Sequence, residues 1–361
     1  MRIGILSCND YSVIGGAEKH VMDLARALDA DIVVPDFDEK MVSIYDLDHK
    51  IRFIPLHRQL PAEPRKQVEG MRLYRRISLD YDFVICTDDM AVRYLVHEIP
   101  HFYYVFSPRR ALYDMYYCRM EELPLSKKIF YVAALGFAKY ADRRFVHRFV
   151  RNIACNSHNV RNRIYKVYQR NARVIYPPIH TKRYSYRPSE GYWLSTGRVD
   201  KWKRVDLQVE AFRRMKDKTL YVVGPVYPAY ADMVRNAPPN VKFMGNVSEE
   251  RLLDLYSGCD GFITTAIDED FGITPVEAMA SGKPVVATKE GGYMETVLDG
   301  VTGTLVAPDI NELCRAVRNV SQAPDRFRDA CLARASLFDY EVFRQRVASF
   351  VQEIASGKGE D

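Results

Sequence analysis

Residues 263–306 constrain the fold more than any other stretch. Gly261 to Ala266 is a short apolar run suited to a buried strand, and Asp268 to Gly272 is a polar turn. A helix is expected from Ile273 to Ala280, stopped by Gly282 with Pro284 close behind. Lys283 to Thr288 is a second short strand, and Gly291-Gly292 opens the next turn. Strand, turn, helix, strand is a βαβ unit, which builds a parallel sheet. In such sheets ligands sit beyond the carboxyl ends of strands, where Glu269, Phe271 and Gly272 are expected. The helix that opens at Ile273 presents free N–H groups and a partial positive charge there, which suit a phosphate.

The same alternation runs through the chain. Strands are expected at Arg2–Ser7, Asp31–Val34, Ile51–Leu56, Phe83–Thr87, Phe102–Phe106, Ile153–Asn156 and Arg173–Tyr176. An amphipathic helix at Ala17–Leu28 carries Val21, Leu24, Ala25 and Leu28 on one face. Tyr176-Pro177-Pro178 is a stiff connector and is read as the domain boundary. Beyond it, strands are expected at Tyr192–Thr196, Thr219–Val223 and Val241–Met244, with helices at Val205–Met215 and from Ser248 to Gly258. From Asn311 to Ala355 the sequence reads as helical. The expected class is therefore α/β with two doubly wound, Rossmann-like domains, 1–178 and 179–338, and a terminal helix in 339–361.

Composition narrows the function classes. Seven scattered cysteines without a Cys-x-x-Cys pair suit reduced, buried thiols better than disulfides or a metal site. The chain opens directly on a strand, and no apolar run is long enough to span a bilayer, so a cytoplasmic protein is expected. Net charge is only +5, yet residues 101–175 hold fifteen Lys and Arg against four Asp and Glu. Half of the 24 tyrosines fall between residues 101 and 186. Such a band implies an anionic partner surface. Residues 127–151 mix Ile129, Phe130, Val132, Leu135 and Phe137 with Lys127, Lys128, Arg143, Arg144 and Arg148. They read as a core helix with a basic outer face or, more sharply, as a segment docking on an anionic membrane leaflet. No nucleic-acid motif accompanies the basic band, so no nucleic-acid partner is expected.

Glu269 and Glu277 stand with seven residues between them, a pair that by itself also suits a solvated face. Arg198 and Lys203 follow the strand Tyr192–Thr196, where a basic loop could be ordinary surface or could neutralise a diphosphate. Taken together, these stretches resemble the donor-binding half of family-four glycosyltransferases. That family's motif is Glu, seven residues, Glu, with Phe-Gly after the first acid. The match continues through Gly282-Lys283-Pro284-Val285, Gly291-Gly292, Glu295-Thr296-Val297 and Gly303. Trp202-Lys203-Arg204, Asn156-Ser157 and Val174-Ile175-Tyr176-Pro177-Pro178 look most like the O-antigen mannosyltransferase branch. The resemblance is densest over residues 150–310.

The resemblance implies a GT-B arrangement, two α/β domains facing across a cleft with the terminal helix crossing back to the first. It implies a retaining transfer of a sugar, GDP-mannose being the favoured donor, onto a glycan or lipid-linked glycan. Arg198 and Lys203 would clamp the donor diphosphate, Glu269 would meet the sugar hydroxyls, and Glu277 the ribose. Phe271, Gly272 and Ile273 would line the phosphates, and Gly15 and Gly16 would bring backbone N–H groups to the same ligand. Gly15-Gly16 alone reads equally as a tight strand-to-helix turn. No cofactor and no metal are expected, because Arg198, Lys203 and the helix start can meet the leaving charge. Phe106 stands where the mannosyltransferase branch usually has a histidine, and no catalytic histidine is assigned. A nucleotide-sugar epimerase, or a non-catalytic nucleotide-sugar or membrane-binding module, are the alternatives.

Overall fold

The computed structural model describes residues 1–9, 11, 15–45, 50–62, 65–117, 120 and 124–357. It forms two compact units: Met1–Tyr176 with the segment from Phe343 on, and Pro177–Val342. Each is a parallel sheet wrapped by helices.

The sheet of the first unit has seven strands: β1 (Ile3–Leu6), β2 (Asp31–Val34), β3 (Phe53–Pro55), β4 (Phe83–Cys86), β5 (His101–Val105), β6 (Ile153–Cys155) and β7 (Arg173–Val174). Their spatial order is β3-β2-β1-β4-β5-β6-β7. β1, β2, β4 and β5 are buried along their whole length, as runs such as Phe-Val-Ile-Cys require when helices cover both faces. From Phe343 on, the helix Tyr340–Ala355 belongs to this unit, with Phe350 against Phe102 and Arg173 paired to Glu353 at 2.8 Å.

The sheet of the second unit has six strands: β8 (Tyr192–Thr196), β9 (Thr219–Val223), β10 (Val241–Gly245), β11 (Gly261–Thr264), β12 (Val285–Thr288) and β13 (Gly303–Val306). The order is β10-β9-β8-β11-β12-β13, all neighbours parallel. The strand order therefore reverses between β8 and β11. That is the switch point, where two successive loops leave in opposite directions and open a crevice at the carboxyl ends.

Local sequence accounts for the helices around it. Ser248 Oγ accepts from the Arg251 N–H at 3.2 Å and starts the helix Glu249–Gly258. Asp309 caps Ile310–Ser321 in the same way, accepting from Asn311 and Glu312.

One strand lies where the sequence assigned no element, and one of the two readings of residues 127–151 is corrected. The sequence after Thr302 contributes a strand, β13, that closes the sheet edge beside β12 before the helices begin. The helix across 127–151 runs from Leu125 to Phe149 and is not a core helix over its first two thirds. Leu125 and Ile129 are each 78% exposed and Phe137 is 74% exposed. Only its last turns pack, through Val146 and through Asp142, which meets Arg93 at 3.0 Å and the Tyr113 and Tyr168 hydroxyls.

Candidate functional site

The loops after β8 and β11 carry the residues that the sequence singles out in the second unit. After β8 the chain passes Gly197, and Asp200 then organises the turn, its Oδ1 accepting from the N–H groups of Trp202 at 2.9 Å and Lys203 at 3.0 Å. Its Oδ2 accepts from Arg198 Nε at 3.3 Å, while the Arg198 side chain stays 57% exposed. Asp200 thus aims both cations, a role that sequence reasoning missed although an aspartate two and three residues ahead of the N–H groups it binds is a recognisable turn signal.

Lys203 and Glu269, 66 positions apart, meet across the switch point. Lys203 Nζ donates to Glu269 Oε2 at 2.7 Å, with both side chains about three-quarters buried. The next residue locks the two loops together. Arg204 donates to the Thr265 carbonyl at 2.6 Å and to Ala266, and its guanidinium also pairs with Glu290. Thr265 Oγ1 returns a bond to the Lys203 or Arg204 carbonyl and accepts from Gln208 at 2.8 Å. Two loops tied by this many buried polar contacts hold their side chains in place without a ligand.

Gly272 opens the helix Ile273–Ala280 in the left-handed conformation, φ 87°. A Cβ there would fall 2.7 Å from the Tyr293 ring, so only glycine passes. Tyr293 is buried, its hydroxyl bonded to Thr264 at 2.7 Å, and Phe271 is buried against Phe338. Ile273 is half-buried at the first turn. The Gly292 N–H donates to the Glu269 carbonyl at 2.7 Å and fixes the acid's backbone.

Glu277 lies one turn further in. Its Oε2 accepts from the Tyr256 hydroxyl at 2.8 Å, and Tyr184 bonds it as well. Burial, together with the Glu277 charge, raises both phenols well above their ordinary range, so they remain donors at neutral pH. Tyr256 also meets Thr196 Oγ1 at 3.0 Å, tying the carboxylate to the end of β8. Neither tyrosine is signalled in the sequence.

Gly15 and Gly16 belong to the first unit, at the start of the helix Gly16–Leu28 after β1. Glu18 Oε2 accepts from the Gly15 N–H at 2.9 Å, and Asn9 donates to the same carboxylate at 3.0 Å. The Gly15 N–H is therefore engaged by the chain's own capping carboxylate; residues 12–14 lie outside the described residues. Phe106 follows β5 and packs with Tyr104 and His20. His101 opens β5 at its other end, with Nε2 accepting from the Arg151 N–H at 3.0 Å. Among the described residues no cluster of three His, Cys, Asp or Glu is placed to hold a metal ion. Of the described cysteines, all are free and all but Cys314 are buried; Cys118 lies outside them.

A parallel sheet of order 3-2-1-4-5-6, with a cation–carboxylate pair and a glycine-started helix at its switch point, is an arrangement suited to a phosphorylated ligand. Residues 181–335 match the glycosyl transferases group 1 family. An alpha-1,3/1,6-mannosyltransferase ALG2 of Dictyostelium discoideum is 40% identical over 84 residues, 23% of this chain and 20% of that protein. The mouse ALG2 is 22% identical over 76% of this chain and 74% of its own length. The matched stretch spans about a fifth of the length of the Dictyostelium protein, and 21% of a D-inositol 3-phosphate glycosyltransferase 2 of Catenulispora acidiphila that is 40% identical. Anabaena Alr3699/HepE in complex with UDP and glucose shares the fold with a TM-score of 0.74 at 21% identity, covering 98% of this chain and 99% of that one. Residues 181–335 are thus similar to the glycosyl transferases group 1 family, and the chain as a whole shares the GT-B fold.

Proposed function

We propose that the protein transfers a sugar, with retention, from a nucleotide-sugar donor held in the second unit to a glycan or lipid-linked glycan. The observation that carries this reading is the Lys203–Glu269 pair at the β8/β11 switch point, beside the helix start at Gly272. Lys203 and Arg198 take the donor diphosphate, together with the N–H groups of Ile273 and its neighbours. Glu269 accepts from sugar hydroxyls. Glu277 accepts from the ribose; a carboxylate has capacity beyond two phenols. Phe271 and Gly272 shape the wall beside the phosphates.

In this reading the C1–O bond to the diphosphate breaks and a new C1–O bond forms to an acceptor hydroxyl. The hydroxyl proton passes to the departing phosphate oxygen on the same face. Charge grows on that phosphate, and cations already fixed in place stabilise it without reorganising. Mannose from GDP-mannose is the favoured donor, supported by the mannosyltransferase names among the relatives; inositol glycosyltransferases stand beside them. No metal and no cofactor take part in the proposed step, and EDTA is expected to leave donor binding unchanged.

The acceptor reading extends to a membrane surface. Leu125, Ile129, Val132, Phe137 and Tyr140 are exposed on one helix, followed by Lys139, Arg143, Arg144 and Arg148 near its end. The only carboxylate of the helix, Asp142, is turned inward. Exposed apolar side chains on a helix whose own sequence carries no other carboxylate suit the interface of an anionic leaflet. Among the described residues no helix is long and apolar enough to cross a membrane. The transfer reading is tested by incubating the protein with GDP-mannose and UDP-glucose and measuring sugar released to water or to lipid-linked acceptors. Activity that Lys203→Ala and Glu269→Gln both abolish supports it. Wild-type turnover in either variant removes that residue from the site.

A further inference from the structure

A surface cavity of about 720 Å³ lies beside β7, the edge strand of the first unit's sheet, and five arginines line it: Arg151, Arg161, Arg170, Arg173 and Arg346. They converge from separate parts of the chain. Arg151 follows the helix Leu125–Phe149, Arg161 lies on the helix His158–Tyr168, Arg170 and Arg173 flank the entry to β7, and Arg346 comes from the terminal helix. Among the described residues no aspartate or glutamate lines the cavity.

Two of the five have structural work. Arg173 pairs with Glu353 at 2.8 Å, and Arg170 donates to the Val150 and Arg151 carbonyls at 3.0 and 2.6 Å. Those carbonyls end a long helix, so Arg170 sits where a cation is favoured anyway. The other three have no such explanation. Arg346 lies over the Tyr176 ring at 6.0 Å, and among the described residues no carboxylate pairs with Arg151, Arg161 or Arg346.

A cavity of this volume is roughly 9 Å across, about one screening length at physiological salt, so its charges repel one another. Gathering guanidinium groups from four segments with a single carboxylate as relief is unfavourable unless an anion enters. Guanidinium forks also match phosphate oxygens two at a time, and concave walls focus the field.

We propose that this cavity is a binding site for a polyvalent phosphate-bearing ligand, separate from the candidate donor site in the second unit. The shared chemistry is a group with two or more phosphate charges, supplied either by a soluble phosphorylated molecule or by a lipid headgroup. The inference goes beyond the transfer reading and does not require it.

Inorganic pyrophosphate is the probe, titrated calorimetrically into the full chain at fixed salt. The double variant Arg161→Ala/Arg346→Ala changes only exposed side chains; a melting curve at the wild-type temperature verifies its fold. Each charged hydrogen bond lost weakens binding by about tenfold or more. The expected result is loss of one class of pyrophosphate site in the double variant, with nucleotide-sugar binding intact. Lys203→Ala should leave that class in place. The pair Arg161→Lys/Arg346→Lys keeps the charge without the forks and should fall between wild type and the alanine variant. Vesicles containing phosphatidylglycerol separate the sources. Pyrophosphate that displaces the protein from them identifies a lipid headgroup, whereas binding without displacement identifies a soluble ligand. Wild-type pyrophosphate stoichiometry and affinity in the double variant, or loss of all pyrophosphate binding in Lys203→Ala, would overturn the proposal.

Discussion

His20 offers a prediction that the structure makes quantitative. It lies on the helix after β1, 2% exposed, within 4.6 to 5.3 Å of the rings of Tyr104, Phe106 and Phe343. Among the described residues neither ring nitrogen has a hydrogen-bond partner. Burial therefore holds its pKa down at about 4 against an ordinary 6.5, with Asp23 pulling weakly the other way. A group whose folded pKa is depressed contributes stability above its unfolded pKa and loses it as pH falls through the folded one. Between about pH 7.5 and pH 5 this loss amounts to about 2 kcal/mol. Asp88 works against it in the same window. Burial and the neighbouring Asp89 raise its pKa from 3.8 to about 6, so its protonation favours the folded chain by about 1 kcal/mol over the same interval. The wild-type profile thus mixes two opposing slopes, and a substitution separates them. Replacing His20 with Phe removes the imidazole; any repacking cost is independent of pH. The stability of His20→Phe relative to wild type should therefore increase by about 2 kcal/mol on going from pH 7.5 to pH 5. Both tryptophans, Trp193 and Trp202, lie in the second unit, so their fluorescence follows that unit alone. Urea unfolding followed by circular dichroism, with the fluorescence transition as internal reference, isolates the first unit. A relative stability unchanged within about 0.5 kcal/mol between the two pH values would refute the buried, neutral imidazole.

Further outcomes follow from single contacts. Gly292→Ala would place a Cβ 2.5 Å from the Phe271 backbone, so the 269–271 loop must move; a loss of about 2 kcal/mol or more is expected in the fluorescence-monitored melt. Tyr256→Phe deletes the phenol that joins Glu277 to Thr196 and should cost the second unit about 1 to 2 kcal/mol, read by the same fluorescence. Asp200→Ala should weaken nucleotide-sugar binding in titration calorimetry although Asp200 is not proposed to touch the donor, because it orients Arg198 and Lys203. Ile129→Asp with Phe137→Asp should abolish co-sedimentation with anionic vesicles while leaving the melting temperature unchanged, since both side chains are exposed.

The strands were legible because parallel, doubly covered strands are short apolar runs broken by Gly, Pro and polar turns. Asp31–Val34, Tyr192–Thr196 and Thr219–Val223 match in both bounds. β13 escaped because Gly303-Thr304-Leu305-Val306 is brief and half polar, and it becomes a strand only through pairing with β12. For residues 127–151 the sequence left a core helix and an exposed docking segment both open, for a related reason. An apolar composition says that side chains avoid water, not which surface covers them. In the second unit the motif positions were readable, while the contacts that hold them were not. Lys203 and Glu269 are joined by tertiary folding alone, and the phenols of Tyr184 and Tyr256 reach Glu277 from elements with no shared local pattern. Asp200 was within reach, since its side chain serves backbone only two and three residues away.

The central claim, that the β8/β11 switch point holds a nucleotide-sugar donor, is tested most directly by thermal stability against GDP-mannose and UDP-, ADP- and TDP-sugars, with and without EDTA. A ligand at a hundred times its dissociation constant stabilises by about 2.7 kcal/mol, enough for a shift of several degrees. The account predicts a selective shift, largest with GDP-mannose, unchanged by EDTA and absent in Lys203→Ala. No shift with any nucleotide sugar, or an equal shift in Lys203→Ala, would contradict it.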